Sequence, residues 1–108
     1  MVDGFWIVQV QGPQGNTGGV ALFTNGKVFG GDSGFTYIGT YQGDDRMIKA
    51  HLRVQNFDPA VPSVLPVGGT YEMDVSANVQ GDSMTGTAMV SNQPQYSVGI
   101  RLTKKANL

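Results

Sequence analysis

The chain has 108 residues, with seven Lys or Arg, eight Asp or Glu and no Cys. This length predicts a single domain over residues 1–108, and the lack of cysteine excludes disulfides and thiolate metal sites. The balanced charge argues against direct nucleic-acid binding, which usually requires a clustered basic excess. No basic leader and no apolar run of about 18 residues is visible, so we expect a cytoplasmic protein with no membrane contact.

The first predicted strand, residues 3–11, begins with Gly4-Phe5-Trp6. Gly-x-Trp is typical of lipocalin-like barrels, in which the Trp lies across the closed end and a late Arg can pack on its ring. We expect Arg101 to make this contact, as a cation–π interaction of about 0.5–2 kcal/mol. The alternative is that Trp6 is an ordinary core residue, and both interpretations make it structural.

The next two predicted strands, 17–24 and 27–32, are joined by Asn25-Gly26. Asn-Gly suits a type I′ turn, in which both central residues have positive φ, so a tight hairpin is predicted. Gly30-Gly31 then allows a sharp bend or the close approach of another backbone. Asp32-Ser33-Gly34 lacks the lysine and the following helix of a phosphate loop, so we interpret it as a turn.

The strands predicted at 35–42 and 46–56 flank an acidic turn that contains Asp44 and Asp45. Two carboxylates can act as an acid–base pair in an enzyme. With Arg46 beside them, an exposed hairpin tip is the better interpretation.

His51 is the only histidine of the chain. It alternates with Lys49 and Arg53 on the polar face of its predicted strand. A metal site would need further ligands, and a Ser–His pair would need an orienting acid. The sequence indicates neither, so we expect a solvated histidine, no metal, no cofactor and no catalytic residue.

Residues 57–67 contain three prolines among several apolar residues. Proline cannot donate to a strand ladder, so this segment is predicted to be a long crossover. We expect its Val64 and Leu65 to plug or line one end of the fold. The prolines also restrict the unfolded chain, which lowers the entropic cost of ordering the segment.

The last predicted strands are 69–79, 83–91 and 96–104. Strands 69–79 and 96–104, like 46–56, alternate apolar with polar residues, so each of them has one apolar face that must be covered. Since no helix is predicted, the sheet must close on itself or fold into two layers. Short sequential hairpins favour an all-β protein, an eight-stranded antiparallel up-and-down barrel of lipocalin or calycin type.

Small eight-stranded barrels are either filled by side chains or hollow enough for one small ligand. The alternation and the closing direction predict an apolar lining. The expected lining residues are Trp6, Val8, Leu52, Met73, Val75, Met84 and Ile100.

Aromatic residues of the second and fourth predicted strands offer a candidate interface. We expect Phe23, Phe35 and Tyr37 to be exposed and to supply a self-complementary patch for a homodimer.

Five short stretches occur along the chain in a characteristic order: Asp3-Gly4, Asn25-Gly26, Gly30-Gly31-Asp32, Gly39-Thr40-Tyr41 and Pro62-Ser63-Val64-Leu65. In this order and approximate spacing they resemble the GrlR family of small bacterial β-barrel proteins, which is named for a negative regulator of type III secretion gene expression. The resemblance extends over about residues 3–66, and beyond Val67 only the general pattern is similar.

The resemblance implies a lipocalin-like barrel with an apolar interior that tends to dimerise, and the lack of catalytic groups argues against an enzyme. The resemblance also implies that the protein acts by binding a partner, since the named regulator sequesters a transcriptional activator. In the named regulator, four acidic residues on an exposed loop contribute to partner binding. The matching position here is Gly43-Asp44-Asp45-Arg46, which keeps two acids and replaces another with a base.

On this resemblance, Asp44, Asp45 and Arg46 are the expected partner-binding residues. The alternative function is that of a carrier or sensor that holds a small apolar ligand inside the barrel.

Overall fold

The computed structural model describes residues 2–108, and this part of the chain forms eight strands and no helix. The strands are β1 (Gly4–Gly12), β2 (Gly15–Thr24), β3 (Lys27–Gly31), β4 (Phe35–Gly43), β5 (Met47–Asn56), β6 (Thr70–Gln80), β7 (Ser83–Val90) and β8 (Gln93–Ala106).

Each strand pairs antiparallel with the next, and β8 returns to pair with β1, so the sheet is a closed barrel. This confirms the predicted all-β, eight-stranded up-and-down architecture. The Asn25-Gly26 turn also has the expected backbone, with φ of 49° at Asn25 and 77° at Gly26.

The largest difference from the predicted strand boundaries lies at the start of β8. The predicted strands 83–91 and 96–104 leave a turn at residues 92–95, whereas the turn consists of Ser91-Asn92 and β8 already begins at Gln93. A bulge between Met89 and Val90 distorts the β7–β8 ladder here. Irregular pairing of this kind tolerates Pro94, which has no backbone N–H to donate.

The inward faces of the strands form two apolar clusters, one above the other along the barrel. The first surrounds Trp6 and closes one end, and the second lies under the segment 57–69 at the other end. We call these the closed end and the crossover end. Leu65 of the crossover is only 2% exposed and packs in the second cluster.

Trp6 is the centre of the closed end. Its side chain is fully buried, and its Nε1 donates a hydrogen bond to the carbonyl oxygen of Val2 at 2.9 Å. The cation over its ring is Lys104, whose Nζ lies 5.3 Å from the ring centroid, and not the expected Arg101. Arg101 pairs with Gln9 and is exposed, while the unbroken β1–β8 register from Gln9 to Trp6 places Lys104 opposite the tryptophan.

The expectation that Phe23, Phe35 and Tyr37 form an exposed patch is wrong. Phe23 is 4% exposed and Phe35 is 8% exposed, and both pack inside the barrel, with Tyr37 packed against the crossover-end cluster. The residues of β2 are apolar on both faces, so alternation does not identify its inner side. The apolar residues that are exposed on β1 to β4 are Phe5, Ile7, Val20, Phe29 and Ile38.

Inward-facing glycines allow neighbouring strands to approach closely. A Cβ atom at Gly39 would lie 1.9 Å from the carbonyl oxygen of His51 on β5. A Cβ atom at Gly86 would lie 2.0 Å from the carbonyl oxygen of Ser76 on β6. Since these contacts are with backbone atoms, no rotation of a side chain can relieve them.

Replacing Gly86 by Ala is therefore expected to lower the free energy of unfolding by about 1–3 kcal/mol, the usual cost of overpacking. Gly68→Ala is the matched control, since a Cβ atom there has no neighbour within 4 Å. It should change stability by no more than about 0.5 kcal/mol. Urea unfolding measures both variants, and equal stabilities would contradict the close approach of β6 and β7.

Candidate functional site

The turn between β4 and β5 contains the predicted partner-binding residues, and Asp44 organises it. Oδ1 of Asp44 accepts hydrogen bonds from the backbone N–H groups of Arg46 at 2.8 Å and Met47 at 3.1 Å. The backbone N–H of Asp44 donates to the carbonyl oxygen of Met47 at 3.0 Å. The two hydrogen bonds to the carboxylate, the one from Arg46 first, lower the pKa of Asp44. Asp44 is thus ionised and holds the turn in shape.

The neighbouring residues Asp45 and Arg46 are exposed on the same turn. The carbonyl oxygen of Arg46 accepts a hydrogen bond from the backbone N–H of Val79 at 2.7 Å, which ties the turn to the end of β6. Val79 belongs to the cluster around Trp6. The Asp44–Arg46 turn therefore lies at the closed end of the barrel and has a defined backbone.

A cavity of about 110 Å³ lies inside the barrel. Five of the residues expected from the sequence line it, while Trp6 and Met84 are not among its lining residues. Both of those side chains are fully buried in the closed-end cluster. The five lining residues are Val8, Leu52, Met73, Val75 and Ile100.

The crossover covers the cavity at the end opposite the Asp44–Arg46 turn. Its residues 61–65 line the cavity, and two backbone hydrogen bonds fix its position. Gln14 donates to the carbonyl oxygen of Val64 at 3.2 Å, and Phe57 donates to that of Gly34 at 2.9 Å. The two candidate sites are thus at opposite ends of the barrel.

A carboxylate–histidine–carboxylate cluster on the outer surface was not anticipated from the sequence. His51 on β5 lies between two acids of β6, with Nδ1 at 2.8 Å from Asp74 Oδ1 and Nε2 at 2.5 Å from Glu72 Oε1. The hydrogen bonds to Asp74 and then Glu72 raise the pKa of His51. The hydrogen bond with His51 lowers the pKa of Asp74.

The orienting acids were missed because they depend on the β5–β6 register, in which His51 pairs with Asp74. A 13-residue connection separates these strands, and a register across such a connection cannot be read from alternation alone.

Within residues 2–108, no group of three or more His, Cys, Asp or Glu residues is arranged to hold a metal ion. The same residues contain no helix that is long and apolar enough to cross a membrane.

Comparison with known proteins gives one family. The family model described as "T3SS negative regulator, GrlR" matches residues 1–106, which is nearly the whole chain. No curated protein sequence matches the chain at a significant level.

The His51 cluster predicts a pH dependence of stability. Since the pKa of His51 is raised above its unfolded value of about 6.5, the cluster stabilises the fold fully below that pH and loses its contribution as pH rises through the folded pKa. The effect should be at most about 1 kcal/mol, because the three side chains are more than half exposed to solvent.

Thermal unfolding between pH 5.5 and 8.5 measures this effect. His51→Gln should remove most of the fall in stability with rising pH, since His51 is the only histidine. A fall of the same size in the variant would contradict the assignment.

Proposed function

The chain belongs to the GrlR family of T3SS negative regulators, and on that premise we propose that it acts by binding a transcriptional activator and keeping it from DNA. The observation that supports this proposal is family membership. A binding function also agrees with the side-chain chemistry of the chain, which favours binding over catalysis.

We propose the Asp44–Arg46 turn as the contact surface. An activator presents basic groups to the phosphate backbone of DNA, and carboxylates attract the same groups. The turn is exposed and its backbone is fixed by the hydrogen bonds of Asp44, so little conformational freedom is lost on binding. Because Arg46 offsets one of the two acids, the neighbouring surface must contribute to the affinity.

We also propose that the protein has no catalytic activity of its own. The strongest candidate for a catalytic group is His51. Both of its ring nitrogens are engaged by carboxylates, which favour the protonated imidazolium. A general base needs a nitrogen that can accept a proton, so this histidine is poorly suited to that role.

Since an activator acts on DNA, we expect the protein to work in the cytoplasm.

The exposed apolar residues of β1 to β4 support a homodimer. Ile7 pairs with Val20 across β1 and β2, and Phe29 pairs with Ile38 across β3 and β4. Phe5, Ile7, Val20, Phe29 and Ile38, each 37–45% exposed, form what we call the outer patch. Contiguous exposed apolar surface of this kind marks interaction sites, and a two-fold axis would pack the patch against its own copy.

A second candidate function, the transport or sensing of a small apolar ligand, is supported by the barrel cavity. Its lining is almost entirely apolar, which suits a ligand that water solvates poorly.

The activator-binding proposal predicts that charge removal at the turn weakens the complex. Asp44→Asn with Asp45→Asn keeps a side-chain oxygen as the acceptor in the turn but removes both charges. We expect the dissociation constant for an activator isolated from lysate by affinity capture on this protein to rise about tenfold, a loss of about 1.4 kcal/mol. Calorimetric titration measures it.

Asp58→Asn is the control, because Asp58 also accepts a backbone hydrogen bond, from Ala60, but lies in the crossover at the other end of the barrel. The Asp58→Asn variant should bind the activator with the same affinity as the parent protein. If the double variant also binds as the parent does, the turn is not the contact surface.

The dimer proposal predicts that a charge in the outer patch separates the two copies. Phe29→Lys should shift the protein from dimer to monomer in sedimentation equilibrium, with little change in its unfolding temperature, since Phe29 is 43% exposed in the single chain. Thr85→Lys is the control, because Thr85 is exposed on β7 outside the patch. A monomeric parent protein, or a variant that still dimerises, would contradict the proposal.

A further inference from the structure

The barrel cavity is polar at one end only. Asp32 is the only charged residue among the described residues that line it. The aromatic rings of Tyr37 and Tyr71 pack against the crossover-end cluster, and Ser63 is in the crossover itself. The polar lining residues are Thr17, Asp32, Tyr37, Ser63 and Tyr71. A ligand inside the barrel would therefore meet polar groups under the crossover and apolar groups below them.

The polar end is rich in hydrogen-bond acceptors. Oδ1 of Asp32 accepts hydrogen bonds from the backbone N–H groups of Gly34 and Phe35, each at 2.9 Å. Oδ2 of Asp32 accepts the hydroxyl proton of Tyr37. With that proton committed, the Tyr37 oxygen and the remaining lone pairs of the carboxylate can only accept hydrogen bonds.

The same end disfavours additional negative charge. Burial, and then the hydrogen bond to Asp32, raise the pKa of Tyr37. Burial is also the main cause that raises the pKa of Tyr71. A carboxylate ligand would be desolvated beside the carboxylate of Asp32, whereas a hydroxyl or ammonium group would donate to it.

The volume of the cavity limits the size of the ligand. At about 110 Å³ it is smaller than an apolar cavity of about 150 Å³ that binds benzene. A chain of about four to six non-hydrogen atoms therefore fits without displacement of the crossover.

We propose that the cavity binds a short-chain molecule with one hydrogen-bond donor as its head group, a hydroxyl or an ammonium, and that it discriminates against the corresponding carboxylate. The head group lies at Asp32 and Tyr37, and the chain points towards Ala50 and Val75. This inference rests on the second candidate function, ligand binding in the barrel, and adds the chemical class of the ligand.

The crossover packs closely on the rim of the barrel. Its Val61 packs so closely on Gly34 that a Cβ atom at that glycine would lie 2.4 Å from the Val61 Cβ. Val64 packs on Gly12 in the same way, with its carbonyl oxygen 2.7 Å from the position of a Cβ atom there. At both glycines the crossover thus lies directly against the backbone of the barrel.

The test uses three probes of equal chain length: 1-butanol, n-butylammonium and butyrate. Methyl resonances of the ¹³C-labelled protein are followed during titration with each probe. We expect 1-butanol and n-butylammonium to shift the resonances of Ala50, Val75 and Ala88, with dissociation constants at least about fivefold lower than that of butyrate.

Two variants separate the chain and head-group contributions. Ala88→Leu fills the cavity from β7 and should abolish the shifts while the fold is retained. Tyr37→Phe keeps the ring but removes the hydroxyl, and should reduce the preference for 1-butanol over butyrate. If that preference is unchanged, Tyr37 does not hold the head group.

The outcomes distinguish the proposed internal ligand site from the proposed preference for a donor head group. Equal binding of all three probes inside the barrel would overturn the donor-head inference but leave the cavity as a ligand site. No shift of the interior methyl groups with any probe would overturn both. Shifts confined to surface residues, or unaffected by Ala88→Leu, would also overturn the internal site.

Discussion

Closure of the sheet between β1 and β8 is the constraint on which the rest of the molecule depends. The chain forms no helix over residues 2–108, so nothing but the sheet itself can cover the inward side chains. Pairing of β8 with β1 removes both sheet edges and encloses the two apolar clusters. Trp6 is buried because this pairing brings Lys104 over its ring and because Phe23 packs edge-on against it, with the ring centroids 6.1 Å apart.

Closure also determines where function can be located. A hairpin barrel has connections at both ends. At one end the Asp44–Arg46 turn is short, charged and held to the end of β6. At the other end the crossover is long and apolar enough to cover the interior. A partner that binds at the turn does not contact the crossover end, so the two proposed functions can coexist in one molecule. Coupling between them would have to pass through the packed interior.

The parts of the fold that were predictable from the sequence are those with regular alternation. In β5 and β6 the apolar residues occupy every second position, and the buried residues follow that pattern. Prediction failed on β2, where both faces are apolar, so Phe23 was assigned to the outside.

The features of the candidate site that were predictable are those formed by residues close together in the sequence. Asp44, Asp45 and Arg46 share one turn because they are consecutive, and alternation identified five of the residues that line the cavity. The His51 cluster depends on pairing across the long crossover, and the position of Lys104 depends on the register between the first and last strands. Long-range register of this kind leaves no local signal in the amino-acid sequence.

The most direct test of sequestration is the fluorescence anisotropy of labelled promoter DNA bound to an activator that has been isolated by affinity capture on this protein. As the barrel protein is added, the account predicts that the anisotropy falls to the value of unbound DNA, because activator held by the barrel cannot also contact phosphates. Anisotropy that stays constant, or that rises because all three molecules form one complex, would contradict it.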